Sequence, residues 1–315
     1  MSGLSVFITG ATGCIGHYVL EALRESFPDA TLHLLVRSPH KFKQAIPDWP
    51  NVVIHVGDMD GIDAFAPVLY TCQYIIHIAT VWGYNLEHNI RVNKLRTLAM
   101  LQHTNPSVLR RVIYFSTASI LTAHNRLNPA AETQGTPYVQ SKYYGYLALK
   151  QSPFASKIIT LFPTVVLGGS KSHPFSHIST GLLKRHAYGR WIRRLRLPGA
   201  FHFLHATDIA RMVVIGLTHA QPPADMVLGH AALSFNDAFT ELAAGMHLKK
   251  AWVTLSIPHW IIRALTRLLG HRIDSWARYC LRHPYFTYNT HHPGDFGGSI
   301  AYPTLSAVIA DMPTD

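Results

Sequence analysis

Tyr138 and Lys142 stand four residues apart in a stretch, Tyr138–Gln151, whose pattern predicts a helix, so both side chains leave one face. A phenol near pKa 10 is a poor base at neutral pH. A cation beside it stabilises the phenolate, lowers that pKa and makes the group a usable acid or base. Upstream, the hydroxyl run Ser116-Thr117-Ala118-Ser119 follows a predicted strand, Arg111–Phe115. Ligands of parallel sheets bind at the carboxyl ends of such strands. A third group, TGATGCIG at 9–16, sits directly behind the apolar run Leu4–Ile8. There Gly10 permits a tight turn, Gly13 lets the backbone approach a phosphate, and Gly16 lets the next helix, His17–Ser26, pack on the sheet. The start of that helix offers unpaired N–H groups and a positive dipole end to an anion. A glycine pattern or a YxxxK pair alone is weak, but strand, glycines and helix in this order form a pyrophosphate cradle.

The elements that must position these residues alternate through the first half of the chain. Strand-like runs at Leu4–Thr9, Thr31–Val36, Val52–His55, Gln73–Ile78, Arg111–Phe115 and Ile158–Phe162 are separated by helix-like segments, including one around Leu86–His103. Near-continuous apolar strands alternating with helices predict an α/β fold, a Rossmann-type doubly wound parallel sheet with a smaller C-terminal substrate lobe. The texture turns Pro-, Gly-, His- and Arg-rich from Gly168 to Gly199, and regular order returns at Phe203–Leu217. The expected division is a dinucleotide-binding domain over 1–167, rejoined by 201–224, and a lobe built from 168–200 and 225–315. Ile257–Gly270 reads as an amphipathic helix with Arg263 and Arg267 four apart. It caps the substrate cavity in the simpler reading. Its Trp260, apolar face and arginines keep a peripheral membrane contact open.

Composition excludes several classes. With 315 residues and a 48% hydrophobic fraction, the chain can fill a substantial core. It has neither a basic leader followed by an apolar stretch nor a run of about 18 uncharged apolar residues, and a cytoplasmic location is expected. Cys14, Cys72 and Cys280 are the only cysteines and form no CxxC pair, which fits a reducing compartment. The net charge of +11 attracts phosphates, and a phosphorylated cofactor accounts for it most simply. Lys184, Arg185, Arg190, Arg193, Arg194 and Arg196, interleaved with Tyr188 and Trp191, are read as a solvated face or the rim of an anionic-substrate site, with no nucleic-acid partner. The 21 histidines imply no metal: His173 and His177 flank Pro174, and the pairs His202/His205 and His291/His292 lack Cys, Asp or Glu to complete a ligand set.

The chain resembles the extended short-chain dehydrogenase/reductase superfamily, in its epimerase/dehydratase and 3β-hydroxysteroid-dehydrogenase or dihydroflavonol-reductase-like group. The resemblance rests on TGATGCIG at 9–16, Gly57-Asp58, His77-Ile78-Ala79-Thr80, Asn93, Ser116-Thr117, YVQSK at 138–142, Pro163-Thr164 and FHFLHATDIA at 201–210. It implies that Tyr138 exchanges a proton with a substrate oxygen, that Lys142 lowers the Tyr138 pKa and holds the nicotinamide ribose, and that Thr117 orients the oxygen, with Ser116 and Ser119 as alternatives. Asn93 would support Lys142 through a water. Gly10, Thr12, Gly13, Cys14, Ile15 and Gly16 would cradle the cofactor; Asp58 and Met59 would approach its adenine; Ala79, Thr80, Pro163 and Thr164 would line it. The plain alternatives are a turn residue at Asp58 and a helix-surface residue at Asn93. A homodimer through the helices of Asn93 and Tyr138 is also implied.

Where an NAD site places an acid, after Thr31–Val36, this chain has Arg37, followed by Ser38 and Lys41. Arginine grips a 2′-phosphate with paired charge-assisted bonds, so NADP is expected, with NAD still open. Nucleotide-sugar enzymes of the group commonly carry arginines where this chain has Phe162 and Ala200. The leading expectation is therefore an NADP-dependent oxidoreductase that reduces a ketone or aldehyde of a fairly apolar small molecule, or oxidises the matching alcohol. The alternatives are a nucleotide-sugar epimerase/dehydratase that regenerates its NAD(P), and a non-catalytic NADP-binding assembly or regulatory protein.

Overall fold

The predicted strands of the first half all enter one sheet. The computed structural model describes residues 3–183, 194–248, 253–268 and 272–313. Strands β1 (Ser5–Thr9), β2 (Thr31–Val36), β3 (Val52–Val56), β4 (Tyr74–His77), β5 (Arg111–Phe115) and β6 (Ile158–Pro163) run parallel in the spatial order β6, β5, β4, β1, β2, β3. A seventh strand, Asp225–Leu228, extends the sheet beside β6 with Met226 opposite Leu161. The sequence boundary at 225 assigns that segment to the lobe. Its apolar Met226, Val227 and Leu228 are instead buried in the strand paired with β6.

Period-2 alternation supplies both faces of the sheet with apolar side chains. In β1, Val6 and Ile8 join one core cluster with Leu20 and Leu23 of the Cys14–Ser26 helix and with Ile209, Met212 and Val213 of the Ala206–Thr218 helix. Phe7 joins the opposite cluster with Ile75, Met100, Leu101 and Leu149. Burying such side chains contributes about 1.5–3 kcal/mol each, which holds helices on both faces. The chain leaves β1 toward one face and β4 toward the other. A crevice therefore opens over the carboxyl ends of these neighbouring strands, as it does at the switch point of doubly wound sheets.

A third core cluster packs Ala238 and Leu242 of the Phe235–Gly245 helix with Leu305, Val308 and Ile309 of the Leu305–Asp311 helix, and reaches Leu167 and Phe203. Asp208, fully buried on the Ala206–Thr218 helix, holds the segment that leads into the Leu305–Asp311 helix. Its Oδ1 accepts from the Ala301 amide at 2.9 Å and its Oδ2 from the Tyr302 amide at 3.4 Å. The amphipathic segment becomes the helix His259–Leu268. Lys184, Arg185, Tyr188, Arg190, Trp191 and Arg193 lie outside the described residues, so only Arg194 and Arg196 of the basic cluster are placed.

Candidate active site

The glycine turn is shaped by close backbone approaches. Gly10 has φ +78°, and a Cβ there would lie 2.6 Å from the Ala79 amide nitrogen, against the exit of β4. Only glycine accepts both the conformation and the contact. A Cβ on Gly16 would lie 2.4 Å from the Gly10 carbonyl oxygen and 2.5 Å from that of Ala11. Without a side chain at Gly16 the helix closes directly on the turn, while Leu20 and Leu23 further along pack on the sheet. A Cβ on Gly13 would meet only the Gly10 oxygen, at 3.4 Å, so this backbone faces open space. Gly13 also caps the Cys14–Ser26 helix, which starts at Cys14, three residues before the expected His17, without a side-chain cap and without an acid in its first turn. Open backbone at an uncapped helix start fits a dinucleotide pyrophosphate. Thr12, Cys14 and Ile15 are half-buried around this turn. Burial pushes the Cys14 thiol up to about 12, so it stays protonated and unreactive.

At the next strand exits, Arg37 and Lys41 are exposed. Asp58 is exposed too, but its Oδ1 accepts from the amides of Asp60 at 3.0 Å and Gly61 at 3.2 Å, so it does the work of a turn residue. Met59 is buried in the second core cluster.

Beyond β4 the backbone is held by side chains from distant segments. Thr9 Oγ1 accepts from the Ala79 amide at 3.2 Å and bonds His77 Nδ1 at 2.7 Å; His77 Nε2 bonds Thr97 Oγ1 at 3.0 Å. Asn93, 1% exposed, accepts on Oδ1 from Thr80 Oγ1 at 3.1 Å and the Val81 amide at 3.0 Å. Its Nδ2 donates to the Val81 carbonyl at 3.2 Å and to Ser141 Oγ at 2.9 Å. Asn93 is therefore no surface residue, and its side chain clamps the Thr80–Val81 segment and the Ser141 hydroxyl, next to Lys142 in sequence. The helix expected over Leu86–His103 is interrupted by a π-helical turn, Arg91–Arg96, that carries Asn93. Such turns favour functional sites, and nothing in the residue pattern announces this one. The bridge that His77 makes between Thr9 and Thr97 is not announced by the motif His77-Ile78-Ala79-Thr80 in which it stands.

Tyr138 and Lys142 leave the first two turns of the helix Pro137–Lys150, whose start Thr136 caps through the Val139 amide. Lys142 is 2% exposed, and its Nζ donates to the Phe115 carbonyl at 2.7 Å and lies 5.1 Å from the Tyr114 ring centre. Burial pulls its pKa down to about 7. Burial also pushes the Tyr138 phenol up, and the influence opposing it is a hydrogen bond with Thr117. The expected lowering of Tyr138 by Lys142 is thus not what dominates here, because the ammonium is drawn to the Phe115 carbonyl. Of the hydroxyls in this run, Thr117 is the one that acts on the phenol, drawing its pKa down. Ser119 Oγ accepts from Thr117 Oγ1 at 3.2 Å, and Ser116 Oγ is buried without a partner. At the next strand exit, Pro163 ends β6, and Thr164 Oγ1 donates to the Leu228 carbonyl at 2.7 Å.

Among the described residues no three His, Cys, Asp or Glu side chains group as a metal site, and no helix is long and apolar enough to cross a membrane. The site that remains is a glycine turn, an uncapped helix start, and a Thr–Tyr–Lys set over the carboxyl end of a parallel sheet.

Residues 6–229 match the family model of the NAD dependent epimerase/dehydratase family. The solved structure of gox2253 is 20% identical, with 98% of this chain and 96% of that one covered and a TM-score of 0.73. The Bordetella bronchiseptica enzyme WbmH, solved with NAD+, is 15% identical over 98% of this chain and 97% of that one, with a TM-score of 0.68. UDP-glucose 4-epimerase from Thermotoga maritima, solved with UDP-glucose, is 14% identical over 98% and 97%, with a TM-score of 0.65. At these identities the likeness is one of fold.

Proposed function

Because the chain belongs to the NAD dependent epimerase/dehydratase family and is an NAD(P)-dependent enzyme of the extended short-chain dehydrogenase/reductase type, we propose that it converts a nucleotide sugar by epimerisation or dehydration with its cofactor regenerated. The observation that carries this reading is Tyr138 one helical turn from the buried Lys142, beside the hydroxyls of Thr117 and Ser119, within a chain matched by that family. Bound NAD(P) supplies a hydride acceptor and donor at its nicotinamide ring. Tyr138 Oη takes the proton of a substrate hydroxyl and returns it. The Thr117 hydroxyl stabilises the phenolate and orients the oxygen, and Lys142, near its own titration point at neutral pH, provides a cation close by. Gly10, Gly13 and the helix start at Cys14 hold the pyrophosphate.

The family match turns the apolar-carbonyl reductase expected from sequence into the second reading. Phe162 and Ala200 favour that second reading, since both are buried apolar residues where nucleotide-sugar enzymes of the group commonly place arginines. In the cofactor site, the exposed Arg37 at the end of β2 supports a preference for NADP over NAD. Around the site, Leu95, exposed on the segment that carries Asn93, supports a homodimer through that face. Exposed Val253, Leu255, Trp260 and Leu268 beside Arg263 and Arg267 support peripheral contact with an anionic membrane, which flotation with anionic vesicles tests. Three free cysteines support a cytoplasmic location.

The deciding experiment offers the purified protein UDP-, GDP- and dTDP-sugars with NAD(P), and in parallel a panel of ketones and aldehydes with NADPH, using wild type and Tyr138→Phe. Conversion of a nucleotide sugar without net NAD(P)H accumulation, lost in Tyr138→Phe, is expected. Stoichiometric NADPH oxidation by a carbonyl compound, with no sugar conversion, makes the protein a reductase. Cofactor binding with neither activity makes it a binding protein.

A further inference from the structure

Trp82 lies face to face with Tyr138, ring centres 4.0 Å apart and planes 8° from parallel. This contact is unusual in being made by a side chain that is itself 66% exposed. An exposed indole on a free loop samples many rotamers, so a fixed stack requires a fixed backbone. Here the backbone is fixed on both sides. Immediately before Trp82, the Asn93 amide group takes the Val81 N–H at 3.0 Å and donates to the Val81 carbonyl at 3.2 Å. Immediately after it, Asn89 Nδ2 donates to the Gly83 carbonyl at 3.1 Å. The same Asn93 amide donates to Ser141 Oγ, and Ser141 Oγ donates to the Tyr138 carbonyl at 2.8 Å. One buried side chain thus sets the indole and the tyrosine helix relative to each other.

We propose that Trp82 is a positioning residue for Tyr138, its indole covering one face of the phenol ring so that the ring presents its hydroxyl to Thr117 and to substrate in a single orientation. The inference rests on the reading of Tyr138 as the proton-carrying group. A phenol held only at its Cβ turns about χ1 and χ2, whereas one stacked on an anchored indole keeps its hydroxyl within reach of Thr117. The His177 ring, 6.0 Å from Trp82 and tilted by 31°, borders the indole as well, so the stack lies beside residues of the lobe as well as of the sheet domain.

The test compares Trp82→Ala and Trp82→Phe in the full chain, with NAD(P) affinity and far-UV circular dichroism as controls. Trp82→Ala is expected to lower kcat about 10- to 100-fold through misplacement of the hydroxyl, with NAD(P) affinity unchanged. Trp82→Phe, which preserves a stacked ring, is expected to restore most of that loss. Wild-type kcat in Trp82→Ala, or a Phe variant as impaired as the Ala variant, overturns the inference.

A second readout needs no turnover. NMR of labelled tyrosine, with Tyr138 assigned from Tyr138→Phe, is expected to show its ring signals shifted upfield by the indole in wild type and in Trp82→Phe, and released in Trp82→Ala. Unshifted Tyr138 signals in wild type overturn the inference whatever the activity. An upfield Tyr138 signal in a wild type that turns over no substrate sinks the functional reading alone and supports the stack.

Discussion

Asn93 Nδ2 lies 2.9 Å from Ser141 Oγ, so a π-helical turn and the helix of Tyr138 share one buried hydrogen bond. Asn93→Ala breaks it and strips the Val81 N–H and carbonyl of their partners. The expected cost is about 1–3 kcal/mol in urea unfolding, since groups in a partly buried loop lose their bonds. The accompanying fall in kcat is at least about tenfold, because the loop and the tyrosine helix lose their common register. An unchanged kcat would remove Asn93 from the site.

Gly13 and Gly10 separate cofactor binding from folding. In Gly13→Ala the new methyl meets no atom closer than 3.4 Å, at a backbone angle of −84° that alanine adopts. Thermal stability is expected to hold while NAD(P) affinity, read by fluorescence titration, weakens about tenfold or more as the methyl enters the pyrophosphate space. Gly10→Ala puts a methyl 2.6 Å from the Ala79 nitrogen at φ +78° and is expected to lose at least about 1–2 kcal/mol of stability. Equal damage to folding from both variants contradicts the assignment of Gly13.

Arg37 is exposed where β2 ends, so its charge is available to a 2′-phosphate. Arg37→Glu replaces attraction by repulsion. The Kd for NADP is expected to rise about 10- to 100-fold at low salt, with the effect shrinking as salt is added, while the Kd for NAD changes little. An NADP affinity that ignores the substitution refutes the preference.

Acid should destabilise the fold through histidines buried in their neutral form. Burial, helped by the Lys142 charge, pulls His77 down to about 3 from an unfolded value of 6.5, and burial pulls His205 down to about 4. Between those values the unfolded chain binds protons that the folded chain refuses. Their contribution is therefore complete above pH 6.5 and is lost progressively as pH falls toward 4 and then 3. Lys142, lowered by burial to about 7 from 10.5, acts in the same direction at higher pH and adds stability as pH rises from 7 to 10.5. Urea midpoints should rise from pH 5 to pH 8; above that the buried thiols of Cys14 and Cys280, pushed up to about 12 and about 11 from 9.0, oppose the trend because only the unfolded chain releases their protons. His77→Gln, uncharged at every pH, should lose less between pH 7 and pH 5 than wild type; an equal loss would clear His77 of this role.

Local physics made much of this protein legible in its residues. The glycine turn, the strands β1 to β6 and the shared helix face of Tyr138 and Lys142 follow from φ restrictions, period-2 alternation and the 3.6-residue turn, all of which act within a few residues. The sequence by itself determined a doubly wound sheet with a dinucleotide cradle and a tyrosine–lysine pair. Tertiary structure alone decided that Lys142 turns to the Phe115 carbonyl, that Asn93 clamps Val81 and Ser141, and that Asp225–Leu228 extends the sheet. Each of these joins segments distant along the chain. Their partners are selected by which buried polar groups and apolar edges packing brings together and leaves to be satisfied, and no local period encodes that choice.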